Sequence, residues 1–364
     1  MSPIDNSYMV IVGTRPEIIK MAPIVRALHE KNLPCVFVHC GQHYDYNMSQ
    51  QFIEELELPE PDYGFKVKAY SPGLQTGRIL TLAERVIKEV RPKTVLIEGD
   101  TNGVLASALA AVKLGISVGH VEAGLRSFDL RMPEEYNRRL VDHMSEYLFA
   151  PTETAKKNLE RESVWGKIYV TGNTVIDALK QHMPMAERKS RIMNKVQFKR
   201  FALATAHRAE NVDDPAVLKN FVEAFAEAPL PIVYPIHPRS KKRLRQMRMW
   251  NKLTSARNVQ LFPPLGYFDF IMLMKHCELI ITDSGGIQEE ATAPIIRKPV
   301  LVLRLSTERP EAVEAGFAKV VGVKAKNIQA AMEHILNGKP NLPQASPYGD
   351  GEAALRIIEI LRTV

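Results

Sequence analysis

The sequence contains little cysteine: only Cys35, Cys40 and Cys277 occur among its 364 residues. The three are odd in number and show no metal-ligand spacing, which excludes a disulfide framework and a cysteine-rich zinc site. Each lies in or beside an apolar strand or helix segment, so we expect buried free thiols in a reducing compartment.

A long apolar run is also missing. The longest apolar region, residues 104–121, is interrupted by Lys113 and predicts a helix followed by a strand rather than a membrane span. The first apolar run is too short for the hydrophobic region of a signal peptide. We therefore expect a soluble, cytoplasmic protein without membrane contact.

Charge of one sign is not concentrated in this chain. The formal net charge is +7, but the basic residues are spread along the sequence except for the run RSKKRLRQMR, Arg239 to Arg248. Leu244 and Met247 interrupt that run, which favours a solvated helix face over a nucleic-acid surface. A modest basic excess suits small anionic substrates.

Motifs for common cofactors are absent as well. No Gly-x-Gly-x-x-Gly follows a predicted strand, and no cysteine pair or Asp-x-Asp pattern stands at ligand spacing. The sequence therefore indicates neither a zinc enzyme nor a nicotinamide oxidoreductase, and we predict no metal and no cofactor.

The chain does contain a regular alternation of strand-like and helical segments. Strand-like runs such as CVFVHC, TVLIEG, FALATA and PVLVLR alternate with helical patterns throughout, which predicts an α/β protein with parallel sheets covered by helices. About ten to twelve strands exceed one comfortable open sheet. We predict two doubly wound, Rossmann-like domains, 1–180 and 181–351, with a charged linker over 186–200 and a C-terminal helix, 352–364, packed back on the first domain.

Polar motifs follow many of these strands, at the edge of a parallel sheet where ligands bind. In YMVIVGTRPEIIK, Arg15 follows a strand directly and begins a helix, with Pro16 in its first turn. A helix N-terminus and a guanidinium both favour an anion. An arginine that only caps a neighbouring loop is an alternative that this motif leaves open.

A second motif, ITDSGGIQEE, also joins a strand to a helix. Asp283 or Ser284 can cap that helix, while Gly285 and Gly286 allow backbone amides to approach a phosphate. A simple turn is the alternative. With Arg309 after the next strand and the arginine of the first motif, we predict a diphosphate bound between two domains.

Carboxylates form the third group. Asp100 and Glu122 follow consecutive strands, while Glu134 and Arg138 lie one helical turn apart in MPEEYNRR. Carboxylates at a cleft can hold different protonation states, as proton transfer at carbon requires. For any one of them, a helix cap or an ion pair with an arginine is the alternative.

Two histidines follow strands of the second half. His207 can donate a proton or a hydrogen bond to a leaving phosphate, whereas His237 fits a positioning role.

Taken together, GTRPEIIKMAP, GDTN, GHVEAGLRS, MPEEYNRR, TAHRAENVD, PIHPR, TDSGGIQEEA and TERPEAV resemble the non-hydrolysing UDP-N-acetylglucosamine 2-epimerases. The resemblance runs in the same order from Gly13 to about Gly351. It implies a glycosyltransferase-B type fold, an active site in the interdomain cleft, a homodimer, and a reaction without NAD or an obligatory metal.

The family inverts C2 of UDP-N-acetylglucosamine by anti elimination of UDP to a 2-acetamidoglucal and syn re-addition. The resemblance implies that the catalytic residues are Asp100, Glu122, Glu134 and His207, without fixing which carboxylate is base and which is acid. The residues that match contacts to the diphosphate or sugars are Arg15, Lys20, Arg138, His237, Ser284, Gly285, Gly286, Glu290 and Arg309. Leu265 and Phe270 match the segment placed against the uridine.

Two segments depart from the family pattern. Many bacterial members read GQHREM at an allosteric substrate site, where this chain has GQHYDYNM: Gln42 and His43 remain, but the arginine and glutamate are absent. The segment EEATAPIIRKP is longer than the usual EEAPSLGKP, which predicts an altered turn near the site.

Two other functions remain open from the residues. A glycosyltransferase of the same fold would bind the same nucleotide but transfer the sugar to an acceptor, and the three carboxylates of the first domain argue against it. An inactive nucleotide-sugar sensor would not need every acid and phosphate-binding position to be filled.

Overall fold

The computed structural model describes residues 6–41, 52–67, 69, 71–338 and 340–364, and in it the chain divides into two compact units. The first unit comprises the described residues up to Ala178 together with Gly349–Val364, and the second comprises Leu179–Tyr348.

The first unit is built on a parallel sheet of seven strands. The strands are β1 (Tyr8–Val12), β2 (Cys35–His39), β3 (Tyr63–Gly64), β4 (Thr94–Glu98), β5 (Ser117–Val121), β6 (Tyr147–Ala150) and β7 (Lys167–Val170), in the order β3-β2-β1-β4-β5-β6-β7. The helices that connect them are α1 (Arg15–Glu30), α2 (Pro72–Val90), α3 (Asn102–Lys113), α4 (Pro133–Met144) and α5 (Glu153–Arg161). Helix α6 (Thr174–Lys189) follows β7 and continues from the first unit into the second. The strand order switches direction between β1 and β4: β2 and β3 lie on the far side of β1, and β5, β6 and β7 lie on the far side of β4. Such a switch is typical of doubly wound folds.

The second unit repeats this plan with six parallel strands. The strands are β8 (Ala202–Thr205), β9 (Ile232–Pro235), β10 (Val259–Phe262), β11 (Leu279–Thr282), β12 (Val300–Val302) and β13 (Ala318–Val320), in the order β10-β9-β8-β11-β12-β13. The helices are α7 (Ala209–Val212), α8 (Pro215–Ala226), α9 (Pro238–Gln246), α10 (Trp250–Thr254), α11 (Tyr267–His276), α12 (Gly285–Glu290), α13 (Pro310–Glu314) and α14 (Ala325–Gly338). The last helix of the chain, α15 (Ala353–Thr363), belongs to the first unit.

The predicted α/β class with two doubly wound sheets is confirmed. Residues 104–121 form most of α3 and all of β5, a helix followed by a strand as the interrupted apolar pattern predicts. The short strands β3 and β13 were not predicted, because two or three residues carry too little periodicity to be read. The first residues of the charged segment 186–200, up to Lys189, belong to α6 and include good helix formers.

Each sheet has its own apolar core. In the first unit one buried cluster joins β1, β2, β4 and β5 to α2 and α3, and in the second a cluster joins β8, β9 and β11 to α8 and α14. The central strands β1, β4 and β8 are buried along their whole length, as parallel strands covered on both faces should be.

The C-terminal helix packs against α1. Ile357, Ile358 and Leu361 of α15 are buried, and the Tyr8 hydroxyl donates to the carbonyl oxygen of Leu361 at 2.9 Å. The carboxylate of Asp177 accepts the backbone N–H of Ala354 at 2.8 Å, which caps the start of the helix.

Three further features were predicted from composition. Cys40 and Cys277 are buried, whereas Cys35 is only partly buried at the start of β2, and all three are free. The run RSKKRLRQMR lies on α9, where Leu244 is buried beneath a charged outer face. Among the described residues, no helix is long and apolar enough to cross a membrane.

Candidate active site

Arg15 is the first residue of α1 and is exposed, as its place after β1 predicts. Its guanidinium lies over the ring of Phe52, with 4.8 Å between the guanidinium carbon and the ring centroid. The cation therefore stays accessible at a helix N-terminus, where an anion would be stabilised by both the side chain and the helix dipole.

Glu17 lies one residue beyond Pro16 and is buried. Its carboxyl group accepts hydrogen bonds from the Gly13 N–H at 2.6 Å and from the Thr14 hydroxyl at 2.8 Å. Burial raises the pKa of Glu17 to about 7, despite these hydrogen bonds. Sequence reasoning did not select this residue, although the Thr-x-x-Glu spacing at a helix start is a recognisable signal.

Lys20 is the centre of a buried group of charges. Its ammonium donates to Glu98 at 3.0 Å and also to Glu122, whose carboxylate accepts a further hydrogen bond from Asn173 at 2.9 Å. Strand register explains the arrangement, because Glu98 ends β4 opposite the last residue of β5, and Glu122 follows directly. The structure thus brings two of the predicted residues, Lys20 and Glu122, into direct contact.

Glu98 was missed from the sequence. Burial raises its pKa well above the ordinary value, while the charge of Lys20 opposes that rise and the charges of Glu122 and Glu17 add to it. The available signal was a glutamate at the end of an otherwise apolar strand, TVLIE, where a carboxyl group must be compensated in the interior.

Asp100 follows β4 and pairs with Arg138. The Arg138 Nε donates to Asp100 at 3.1 Å, a second guanidinium nitrogen donates to the same carboxylate, and a third donates to Glu135 at 3.1 Å. The Asn137 amide also donates to the backbone carbonyl of Asp100, at 2.8 Å. The start of α4 therefore holds the turn that carries Asp100.

The two consecutive glutamates at the start of α4 differ in environment. Glu134, the predicted catalytic residue, is exposed, whereas Glu135 is buried and accepts from the backbone N–H and hydroxyl of Ser127 at 3.0 and 2.9 Å. Glu135 therefore fixes the preceding loop, and Glu134 remains accessible to solvent.

In the second unit, Asp283 organises the predicted histidine. Its buried carboxylate accepts the backbone N–H groups of His207 and Arg208, each at 2.9 Å, and the Asn211 amide at 3.1 Å. The His207 Nδ1 is 3.3 Å from the same carboxylate. Of the two residues expected to cap the following helix, Ser284 occupies the N-cap position, whereas Asp283 holds the turn after β8.

His237 lies beside His207, with 5.4 Å between the ring centroids. It is the N-cap of α9, and its Nδ1 accepts the Arg239 N–H at 3.2 Å. Burial and the charges of His207 and Arg239 lower the pKa of His237, which favours the neutral ring.

The predicted Gly-Gly motif forms the start of α12. Ser284 is the N-cap without a side-chain capping bond. A Cβ atom at Gly285 would lie 3.0 Å from a carboxylate oxygen of Glu308 and 3.6 Å from the guanidinium carbon of Arg309, whereas the space at Gly286 is open. The structure therefore places Gly285 beside Arg309.

Arg309 is buried among acidic side chains. Its Nε is 2.5 Å from Glu289 and its Nη1 donates to the Glu308 carbonyl at 3.2 Å. Glu290, the next predicted residue, is buried at the end of α12. The charges of Arg309, Arg208 and Arg304 outweigh burial and lower the pKa of Glu308 to about 2.

The remaining predicted positions lie in loops and in α11. Leu265 precedes α11 and is partly buried, and Phe270 lies in the first turn of α11, where its N–H donates to the Gly266 carbonyl at 3.1 Å. Gln42 and His43 lie outside the described residues. In the longer segment after α12, Arg297 donates to the carbonyl of Pro343 at 2.9 Å.

Comparison with known proteins places this geometry in a family. A family model described as UDP-N-acetylglucosamine 2-epimerase matches residues 26–362. The chain is 47% identical over 361 residues to a UDP-N-acetylglucosamine 2-epimerase of Methanocaldococcus jannaschii, covering 97% of this chain and 98% of that protein. The chain belongs to the UDP-N-acetylglucosamine 2-epimerase family.

Solved structures of this epimerase family agree over both units. The M. jannaschii UDP-GlcNAc 2-epimerase in complex with UDP-GlcNAc and UDP matches with a TM-score of 0.89 at 47% identity, covering 98% of this chain and 100% of that chain. A further relative, 40% identical over 97% of this chain and 98% of the other, is the UDP-2,3-diacetamido-2,3-dideoxy-D-glucuronate 2-epimerase of Pseudomonas aeruginosa.

Proposed function

We propose that this epimerase interconverts UDP-N-acetylglucosamine and UDP-N-acetylmannosamine by inversion at C2. The observation that carries the proposal is the group of acid side chains at the ends of β4 and β5, in which Glu122 contacts Lys20 and Asp100 contacts Arg138. Proton transfer at a carbon atom requires acid side chains held in position within reach of that carbon.

In the first half-reaction a base removes the C2 proton, the bond from C1 to the phosphate oxygen breaks, and UDP leaves with the electron pair. This anti elimination gives 2-acetamidoglucal. In the second half-reaction UDP adds back to C1 while an acid protonates the opposite face of C2, so the overall addition is syn. We assign the proton transfers to Asp100, Glu122 and Glu134, and their order among the three stays open.

The second unit is proposed to bind the nucleotide. Ser284, Gly285 and Gly286 begin a helix beside Arg309, and amide donors next to a cation suit a diphosphate. His207, whose backbone is fixed by Asp283, is proposed to assist the departure of UDP. Leu265 and Phe270 are proposed to lie against the uridine. Within the first unit, Arg15 and Lys20 are proposed as further substrate-binding residues.

The oligomeric state and the cellular compartment are two further properties that we propose. The family resemblance supports a homodimer, which size-exclusion chromatography with light scattering would detect as twice the 41.0 kDa chain mass. A molar mass of one chain at micromolar concentration would contradict the dimer.

The three free cysteines support a reducing, cytoplasmic environment.

The decisive experiment is proton NMR of UDP-N-acetylglucosamine with the purified protein in deuterated water, without acceptor, metal or NAD. We expect UDP-N-acetylmannosamine to appear with deuterium at C2. Asp100→Asn and Glu122→Gln should each abolish both signals, whereas Glu60→Gln, at an exposed loop position, should keep the wild-type rate.

An unchanged wild-type spectrum would contradict the proposed substrate. The same assay with a UDP-2,3-diacetamido-2,3-dideoxyglucuronate substrate would then test the alternative that the P. aeruginosa relative suggests. Product formation only after an acceptor is added would identify a glycosyltransferase instead.

A further inference from the structure

His120 is a buried histidine that lies between two turns of the proposed site. It belongs to β5 and has no exposed surface. Its Nε2 is 2.9 Å from the carbonyl oxygen of Gly99, and its Nδ1 is 2.7 Å from a carboxylate oxygen of Asp142 on α4. A carbonyl oxygen can only accept, so Nε2 donates to Gly99, the residue between Glu98 and Asp100.

Asp142 extends the connection to the second turn. Its other carboxylate oxygen accepts the backbone N–H of Gly124 at 3.2 Å and lies 2.8 Å from Arg126. The guanidinium of Arg126 also donates to Glu162, at 2.9 and 2.6 Å. Burial would raise the pKa of Asp142, but His120 and Arg126 outweigh it and lower the pKa, so the carboxylate accepts from all of its neighbours.

The two connected turns both contain backbone in the left-handed region. Gly99 has a φ of +85° and Gly124 a φ of +84°, and between them in the sequence Glu122 has a φ of +67°. A glutamate in this region is strained, and such a conformation persists only where surrounding contacts impose it. His120 and Asp142 thus attach the turn at Gly99 and the turn at Gly124 to the same helix, α4.

We propose that His120 and Asp142 are positioning residues that hold Asp100 and Glu122 in the geometry required for proton transfer at C2. The proposal rests on the proposed function for its chemistry, but the connection itself is a property of this chain. Apolar residues of the same volume can often replace a buried, hydrogen-bonded pair of ionisable side chains at little cost in stability. Its hydrogen bonds to two turn backbones give it a role that apolar residues could not fill.

The test compares variants of the pair with a stability control on the same helix. His120→Leu removes both donors, and Asp142→Asn places an amide among three donors. His120→Gln retains a donor that can reach the Gly99 carbonyl, so it serves as the conservative variant. Val141→Ala leaves the pair intact and removes buried volume next to Asp142 on α4.

The readouts are kcat, KM for UDP-N-acetylglucosamine, the Kd for UDP and the melting temperature. We expect His120→Leu and Asp142→Asn to lower kcat by about tenfold or more, since small displacements of reacting groups are costly, with the Kd for UDP unchanged within about twofold. His120→Gln should recover part of kcat. Val141→Ala should lower the melting temperature but keep kcat within about twofold.

A loss of kcat that merely follows the melting temperature, or that matches Val141→Ala, would overturn the proposal. So would a parallel loss of UDP affinity. If the wild type does not turn over the substrate, the proposed function fails, and amide hydrogen exchange by mass spectrometry then decides on the pair. Faster exchange in the turns 99–101 and 122–124 of Asp142→Asn, but not of Val141→Ala, would support it, and equal exchange would refute it.

Discussion

Glu17 shows how a single buried carboxyl group makes folding depend on pH. Its pKa is raised by burial to about 7, from an ordinary value of 4.5. Between these two values the unfolded chain is ionised at Glu17 while the folded chain keeps the proton, so the folded state loses stability as pH rises through this window. Below about pH 4.5 and above about pH 7 the contribution of Glu17 is constant.

We therefore expect Glu17→Gln to remove this part of the pH dependence. The amide resembles the protonated carboxyl group and does not titrate. Between pH 5 and pH 8, the free energy of unfolding should therefore fall on the order of 3 kcal/mol less in the variant than in the wild type. Urea unfolding followed by circular dichroism at several pH values measures the difference. Glu153→Gln, at an exposed first-turn position of α5, is the matched control. Parallel pH curves for wild type and Glu17→Gln would contradict the prediction.

The sequence predicted individual site residues where a motif ends a strand, and missed those whose role depends on neighbours far away in the chain. Arg15 could be placed at a helix start, because a strand, a turn and Pro16 precede the helical pattern. That Lys20 contacts Glu98, which is 78 residues away, follows from strand register and from the order of strands in the sheet. Neither the strand register nor the strand order can be read from the spacing of residues within one segment of the sequence.

At the scale of elements, α5 packs closely on the turn after β5. Gly124 has a φ of +84°, and a Cβ atom there would lie 2.3 Å from the carbonyl oxygen of Ala155 and 2.9 Å from Leu159, both on α5. Gly115 has a similar φ of +70°, but a Cβ atom there would meet no atom within 4 Å. An alanine at either position would be strained by the left-handed backbone, but only an alanine at Gly124 would also clash with neighbouring atoms.

We expect Gly115→Ala to cost about 1 to 2 kcal/mol of unfolding free energy, from the left-handed backbone alone. Gly124→Ala should cost at least about 2 kcal/mol more, because the backbone of α5 must move away. It should also lower epimerase turnover, since the displaced turn carries Glu122. Denaturant unfolding and the NMR assay measure the two effects. Equal unfolding free energies for the two variants would show that α5 does not constrain this turn.

Elements were predictable where they are long and regular. Runs such as TVLIE and ALAT are fully buried strands, and their continuous apolar character identified them. The end of α6 was not predictable from composition, because charged residues in a helix and in a linker look alike in a single sequence. The two-residue strand β3 exists only because β2 offers it a partner at Val38 and His39.

At the scale of the whole molecule, the chain leaves the first unit after Ala178 and returns to it at Gly349. The second unit is therefore continuous in sequence, whereas the first is completed only by the last residues of the chain. Helix α15 supplies this final part through Ile357, Ile358 and Leu361, which are buried in the first unit. The first unit should depend on α15 far more than the second.

The variant Ile357→Ala tests this dependence. Removing a fully buried isoleucine should cost about 2 to 5 kcal/mol, and the loss should fall on the first unit because α15 packs on α1 and the Tyr8 hydroxyl donates to its last turn. Hydrogen exchange by mass spectrometry should show reduced protection in β1 and α1, with β8 and β11 unchanged. Glu359→Ala, at an exposed position of the same helix, should leave both units at wild-type protection. Loss of protection in β8 and β11 to the same extent as in β1 would contradict the prediction. It would show that the two units unfold together, so that the stability of the whole molecule depends on α15.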